Sequence, residues 1–112
     1  MTFDRNVWDI CRNIPKGRVT TYKDIAKALQ TKAYRAVGNA LNRNPYWPEV
    51  PCHRVICSDG KVGGFARGSN AKAKLLKDEG IIIRHGTIDL DHYGYKPRSR
   101  KSEQKVYISN KP

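Results

Sequence analysis

Thr21-Tyr22-Lys23-Asp24-Ile25-Ala26-Lys27-Ala28-Leu29-Gln30-Thr31-Lys32-Ala33-Tyr34-Arg35-Ala36-Val37-Gly38-Asn39-Ala40-Leu41-Asn42 is the stretch that decides the fold. Thr21 is a good N-cap, and Asp24 three residues on makes a partial capping box. The helix that follows, Tyr22 to Leu29, buries Ile25, Ala26 and Leu29. Gln30-Thr31-Lys32 is a short connector. A second helix runs from Ala33 to Asn42 and is ended by Asn44-Pro45, because the residue before a proline is pushed out of the helical region. Two short helices joined by a tight turn form a helix-turn-helix, whose second helix enters a groove of DNA. Many small helical pairs bind no DNA, so the pattern needs support from the rest of the chain.

Outward from this pair, Phe3, Val7, Ile10, Cys11 and Ile14 recur at helical spacing and predict an amphipathic helix over Phe3 to Ile14. Pro15-Lys16-Gly17 makes a turn, and Arg18-Val19-Thr20 is a short extended piece. On the other side, Tyr46 to Pro51 is irregular and rich in proline and aromatic residues. Ser58-Asp59-Gly60-Lys61 reads as a turn and Val62-Gly63-Gly64-Phe65 as a flexible segment. Ala71 to Glu79 is a helix burying Ala71, Leu75 and Leu76, and Gly80 caps its C-terminal end. Ile81-Ile82-Ile83 is a short strand or extended segment, and Arg84 onward is loop with a turn at His85-Gly86. From about Arg98 to Pro112 the chain mixes charge and serine with little apolar content, which predicts a disordered basic tail. The chain therefore divides into one domain over 1–97 and a tail over 98–112, with no internal repeat.

Chemistry concentrates in Val50-Pro51-Cys52-His53-Arg54-Val55-Ile56. A free cysteine titrates near ~8.5, so little of it is thiolate at neutral pH. His53, directly or through one water, can take the thiol proton as sulfur attacks, and Arg54 lowers the cost of the thiolate. Pro51 fixes φ and can hold a sharp approach to Cys52. A buried structural cysteine in a strand is the competing reading, since most free cysteines are small buried hydrophobes. Cys11 and Cys57 read that way, as small core residues.

The chain has 112 residues and a formal charge of +12, which bounds it to one domain and points to a polyanion partner, nucleic acid first. A membrane partner is disfavoured, because no long apolar run or basic amphipathic helix accompanies the charge. No signal peptide is visible. Three cysteines form neither an even disulfide set nor a CxxC zinc pattern, so no metal and no cofactor are expected, and the compartment is reducing. That means cytoplasm, or nucleus if the source is eukaryotic.

Pro51-Cys52-His53-Arg54-Val55 resembles the active-site motif of the O6-alkylguanine-DNA alkyltransferases, which move an alkyl group from damaged guanine to their own cysteine. The similarity covers roughly Phe3 to Ile81 and implies a mainly α, winged helix-turn-helix-like fold with short strands: the alkyltransferase C-terminal domain. Ile14-Pro15-Lys16-Gly17-Arg18-Val19-Thr20-Thr21-Tyr22 is similar to the family's lead into its helix-turn-helix. By that resemblance Tyr22 presses on the phosphate 3′ to the lesion and helps rotate the nucleotide out. Arg35, in Tyr34-Arg35-Ala36-Val37-Gly38-Asn39-Ala40, aligns with the arginine finger that fills the gap left by the flipped base. Asn44 aligns with the asparagine that braces the active-site turn, and Glu79 with the glutamate that orients the histidine. Cys52, His53, Glu79, Tyr22 and Asn44 are thus the implied catalytic set. Arg35, Tyr22, Thr21, Ala33, Asn39, Arg43 and Arg54 are the implied DNA contacts. Val62, Gly63, Gly64, Phe65, Ala66 and Arg67 fall on the family's lesion-binding loop.

Departures accompany the likeness. The family's usual smaller N-terminal domain is absent from this chain. Ala66 stands where many alkyltransferases have a serine, and Arg67 where a glycine is usual. Ile88-Asp89-Leu90-Asp91-His92-Tyr93-Gly94-Tyr95-Lys96-Pro97 is similar to the end of the alkyltransferase-like proteins, which carry tryptophan or alanine in place of the cysteine and flag lesions for nucleotide excision repair. Ile88, Leu90, Tyr93 and Tyr95 are expected to pack on the domain and form one wall of the lesion pocket. Two functions stand side by side. In one, a monomer binds double-stranded DNA containing O6-alkylguanine and transfers the alkyl group irreversibly to Cys52. In the other, the domain senses alkylated DNA and recruits nucleotide excision repair proteins. An ordinary helix-turn-helix regulator accounts for the charge but not for the string around Cys52.

Overall fold

The computed structural model describes residues 2–64 and 68–98. Five helices are present among them: α1 (Phe3–Arg12), α2 (Tyr22–Ala28), α3 (Tyr34–Asn42), α4 (Ser69–Asp78) and α5 (Leu90–Tyr93). Four two-residue strands join them: β1 (Thr20–Thr21), β2 (Val55–Ile56), β3 (Ile83–Arg84) and β4 (Thr87–Ile88). The mainly helical reading holds, with the ends moved by a residue or two. α1 stops at Arg12, and Ile14 reaches the core from the turn that follows it. Ala33 and Leu29 are caps rather than helical residues.

Local chemistry sets the helix starts. Thr21 accepts a hydrogen bond from the backbone N–H of Asp24, as the capping reading requires, and Thr2 does the same for α1 through Arg5 N. α1, α2 and α3 then pack around Val7, Ile10, Cys11, Ile25, Ala26, Val37, Ala40 and Val55, with Cys52 and Tyr95 against the edge of this cluster. A second cluster holds Val19, Ile56, Val62, Leu76, Ile81 and Ile88. Between the clusters runs the parallel pair β1–β2, in which Thr20 faces Val55 and Thr21 faces Ile56. This short ladder ties the start of α2 to the segment just after Cys52.

The segment from Ile81 to Tyr95 is more regular than its sequence suggests. β3 and β4 form an antiparallel hairpin, Ile83 opposite Ile88 and Arg84 opposite Thr87. His85 and Gly86 make its two-residue loop with φ of 53° and 73°, the primed geometry that matches strand twist. α5 follows, capped by Asp89. Residues 93–95 then return to β1: Val19 N–H donates to Tyr93 O at 2.9 Å and Tyr95 N–H donates to Val19 O at 2.7 Å. The expected wall is divided, because Ile88, Leu90 and Tyr93 close the second cluster while Tyr95 packs on the first beside Cys52. Truncation before Leu90 removes both hydrogen bonds and three apolar side chains. At ~1.5–3 kcal/mol for a fully buried side chain, and less for these partly buried ones, it lowers Tm by roughly 10 °C or more. Thermal melts of chains ending before Leu90 and after Arg98 check this.

Candidate functional site

The site is built on a 3₁₀ turn, Cys52–Arg54, that opens directly into β2. Val50 O holds the turn by accepting from Cys52 N–H at 2.8 Å and from Asn44 Nδ2 at 2.8 Å. Asn44 Oδ1 in turn accepts from Tyr46 N–H at 2.8 Å. The asparagine thus cross-links the end of α3 to the turn. Cys52 is half-buried on this turn, next to His53, which is 3% exposed.

Behind the turn lies a tight ionic group. His53 Nε2 is 2.8 Å from Glu79 Oε2. Arg54 donates to the same carboxylate twice, Nε to Oε1 at 2.9 Å and NH2 to Oε2 at 2.8 Å, and its NH1 donates to Ile14 O at 2.8 Å. Burial by itself raises the Glu79 carboxyl, but the hydrogen bonds from Arg54 and His53 outweigh it and hold the group at about 2. Burial pushes His53 below the ordinary imidazole value, against the pull of Glu79. A neutral ring with its Nε2 hydrogen on a charged, acceptor-only carboxylate leaves Nδ1 as the proton-accepting nitrogen.

Two side chains that the sequence reading passed over complete the surroundings. Lys72, on α4, is fully buried. Its Nζ donates to Gly64 O at 3.0 Å and stands 3.5 Å from Tyr22 Oη and 5.7 Å from the Tyr22 ring centre. Burial lowers it to about 8, with the nearby Cys57 and Cys52 thiols pulling the other way. Tyr22, the first residue of α2, is pushed up to about 12 by burial and by the thiols Cys57, Cys52 and Cys11, so its hydroxyl stays protonated. Trp47 is half-buried beside His53, its Nε1–H donating to Nδ1 at 3.4 Å. The helical pattern of α4 predicted apolar residues on its inner face. A lysine there gives no sequence signal, because its long stem ordinarily carries the charge out to water.

The remaining expected residues divide. Arg35, Ala33 and Asn39 are exposed on or next to α3. Arg43 is exposed and binds Asp4 through two hydrogen bonds of 2.7 and 2.9 Å. Three of the expected residues lie inside the fold. Thr21 is 3% exposed and its hydroxyl caps α2. Arg54 is committed to Glu79 and Ile14 and serves the site from within. Val62 is a core residue of the second cluster. Gly63 and Gly64 adjoin Cys57 and Lys72: a Cβ on Gly63 would stand 2.9 Å from Cys57 Sγ, and Gly64 O receives Lys72. Phe65, Ala66 and Arg67 lie outside the described residues, as does the expected tail beyond Arg98. Among the described residues no group of three His, Cys, Asp or Glu side chains could hold a metal ion, and no helix is long and apolar enough to cross a membrane.

Residues 2–81 match the family model described as 6-O-methylguanine DNA methyltransferase, DNA binding domain. The chain is 43% identical over 110 residues to a bifunctional methyltransferase/endonuclease of Picrophilus torridus, covering 92% of this chain and 37% of that protein. It is 51% identical over 83 residues to a methylated-DNA–protein-cysteine methyltransferase of Methanosarcina barkeri, covering 73% of this chain and 52% of that one. The chain thus spans about half the length, or less, of these curated relatives. Among solved structures it is similar to S. pombe Atl1 in complex with damaged DNA containing O6-carboxymethylguanine, with TM-score 0.74, 30% identity and cover of 87% of this chain and 100% of that one.

Proposed function

Because the chain belongs to the family of the 6-O-methylguanine DNA methyltransferase DNA-binding domain, we propose that it binds duplex DNA, extrudes an O6-alkylguanine and takes the alkyl group onto Cys52. The observation that carries this reading is the set Cys52–His53–Glu79, a thiol beside a neutral imidazole whose far nitrogen is held by a charged carboxylate. Extrusion gives sulfur an in-line path to the alkyl carbon at a cost of a few kcal/mol. The Cys52 thiol gives its proton to His53 Nδ1, directly or through one water. The sulfur lone pair forms the S–C bond, and the C–O6 bond breaks with its electron pair going to guanine. Guanine takes a proton from Tyr22 Oη, and Lys72 Nζ, 3.5 Å away, returns one to the tyrosine. The adduct is a thioether, so each molecule acts once. Intact-protein mass spectrometry after incubation with O6-methylguanine duplex tests this. One methyl mass on the peptide holding Cys52 is expected, and no adduct with excess lesion DNA would falsify the reading.

The net charge of +12 makes phosphate contacts the main source of affinity, so log K falls steeply with log salt and depends little on sequence. Arg35→Ala leaves reaction with free O6-benzylguanine unchanged and reduces transfer from duplex DNA by tenfold or more, on the order of ~1.4 kcal/mol or above. Parallel rate measurements on the two substrates check this, and equal losses would remove Arg35 from the stack. A second reading, a sensor of alkylated DNA that recruits nucleotide excision repair proteins, is favoured by the similarity to S. pombe Atl1 over that protein's whole length. Tight lesion binding without any adduct would select it.

A further inference from the structure

We propose that Trp47 is a positioning residue for the transfer reaction: its indole N–H caps the proton-accepting nitrogen of His53 and has to leave it before Cys52 is ionised through that ring. The proposal rests on the reading of Cys52 as nucleophile and adds a residue and a gating step to it.

The geometry is specific to one nitrogen. Nε2 of His53 is taken by Glu79 at 2.8 Å, and Glu79 is itself fixed by two hydrogen bonds from Arg54. Rotation of the ring would break that contact, so the orientation of Nδ1 is set from behind. Trp47 Nε1 then approaches Nδ1 at 3.4 Å, with the two rings edge to face, 6.2 Å between centres and 71° between planes. A neutral Nδ1 accepts this N–H, whereas a protonated Nδ1 is a donor and would meet another donor. The indole therefore favours the neutral ring and opposes the very protonation that activates the thiol. The contact is long for an N–H hydrogen bond, so it is weak and can be displaced by a water or by substrate. The backbone permits displacement, because Trp47 sits on the irregular segment between α3 and the Cys52 turn and remains half-exposed.

Other charges act on His53 as well. Glu79 favours the protonated ring, and Arg54 and Lys72 oppose it, while Cys52 adjoins it in the same turn. These groups stay in place when only the indole is altered. The test exploits this by removing the N–H with and without the ring. Trp47→Phe removes the donor and some bulk. Replacement of Trp47 by benzothienylalanine keeps the bulk and the cover over His53 and removes the N–H alone. Two readouts are taken on the whole chain: the His53 titration by long-range proton–nitrogen NMR, and the rate of iodoacetamide modification of Cys52 against pH, mapped to the peptide 44–54.

Loss of one weak neutral hydrogen bond corresponds to a rise of up to about one unit in the His53 midpoint, and to roughly threefold to tenfold faster thiol modification above that midpoint, where the ring is otherwise neutral and the thiolate forms only by passing its proton to it. Benzothienylalanine is expected to give this shift in both readouts. If its titration and rates match the unaltered protein, Trp47 is a cover over His53 and nothing more, whatever Trp47→Phe does. Neither readout needs alkylated DNA. A protein that transfers no alkyl group but shows the shift would lose the proposed activity and keep the Trp47–His53 coupling.

Discussion

On the proposed function, Cys52→Ala is expected to abolish alkyl transfer and to leave most of the DNA affinity in place. The loss is complete because the step needs a sulfur at the mouth of the 3₁₀ turn. The other thiols are placed differently: Cys11 is buried in the first cluster, where burial raises it well above the usual thiol range. Cys57 lies beyond β2, beside Gly63. On the same proposal affinity survives, since phosphate contacts and α3 would supply it and neither includes Cys52. The measurement pairs intact mass after incubation with lesion duplex against anisotropy of a labelled duplex carrying the same lesion. An adduct that persists in Cys52→Ala and maps to Cys57 would move the nucleophile to that thiol. Affinity lost in step with transfer would make Cys52 part of the binding surface.

Glu79→Ala has the largest effect on stability. The carboxylate is 11% exposed and holds His53 and Arg54, whose side chains are 4% and 16% exposed. Among the described residues, removing it leaves the Arg54 guanidinium with the Ile14 carbonyl as its hydrogen-bond partner. Breaking a buried ion pair from one side costs about 3–5 kcal/mol, so denaturant melts shift by that amount, and transfer falls too because the His53 ring loses its anchor. Acid adds a signature. Glu79 ionises at about 2 in the fold against an ordinary 4.5. Its contribution is therefore present above 4.5 and lost as pH falls toward 2. His53 acts in the same sense, since its lowered pKa means that the unfolded chain binds protons first as pH drops through about 6.5. Glu79→Gln removes the carboxylate and is expected to flatten the stability profile between 4.5 and 2. An unchanged profile in that window would show that other carboxylates carry the acid sensitivity.

The helix pair was legible because its signals are local. Thr21 and Asp24 announce the cap, and the apolar spacing of Ile25, Ala26, Val37 and Ala40 points one face inward. The string Pro51-Cys52-His53-Arg54-Val55 singled out the thiol through its chemistry, though not the 3₁₀ turn that carries it. What escaped depends on contacts between distant residues. Nothing in Arg54 says that its guanidinium turns back onto Glu79, and both are polar enough to read as surface. Lys72 looks like one more lysine on a basic helix, yet the gap between Tyr22 and the Gly63–Gly64 backbone takes it in whole. The turn at His85–Gly86 was legible, but the β3–β4 hairpin around it escaped because each strand is two residues long, too short to show an alternating pattern. Trp47 was seen only as part of an irregular aromatic stretch, since its role exists only once the turn has brought His53 beside it.

The two-rung ladder between Thr20–Thr21 and Val55–Ile56 also limits how the chain can vary in length. Tyr22 follows one rail immediately, and Cys52 precedes the other by three positions. Their separation is thus counted in residues. An insertion in the connector between α2 and α3, or in the hairpin loop, is absorbed locally at small entropic cost. One added residue between Cys52 and Val55 slips the register and turns alternate side chains to the opposite face. Half of this small domain is free to lengthen or shorten over time, while the interval from the tyrosine to the ladder and from the ladder to the thiol works as a fixed ruler.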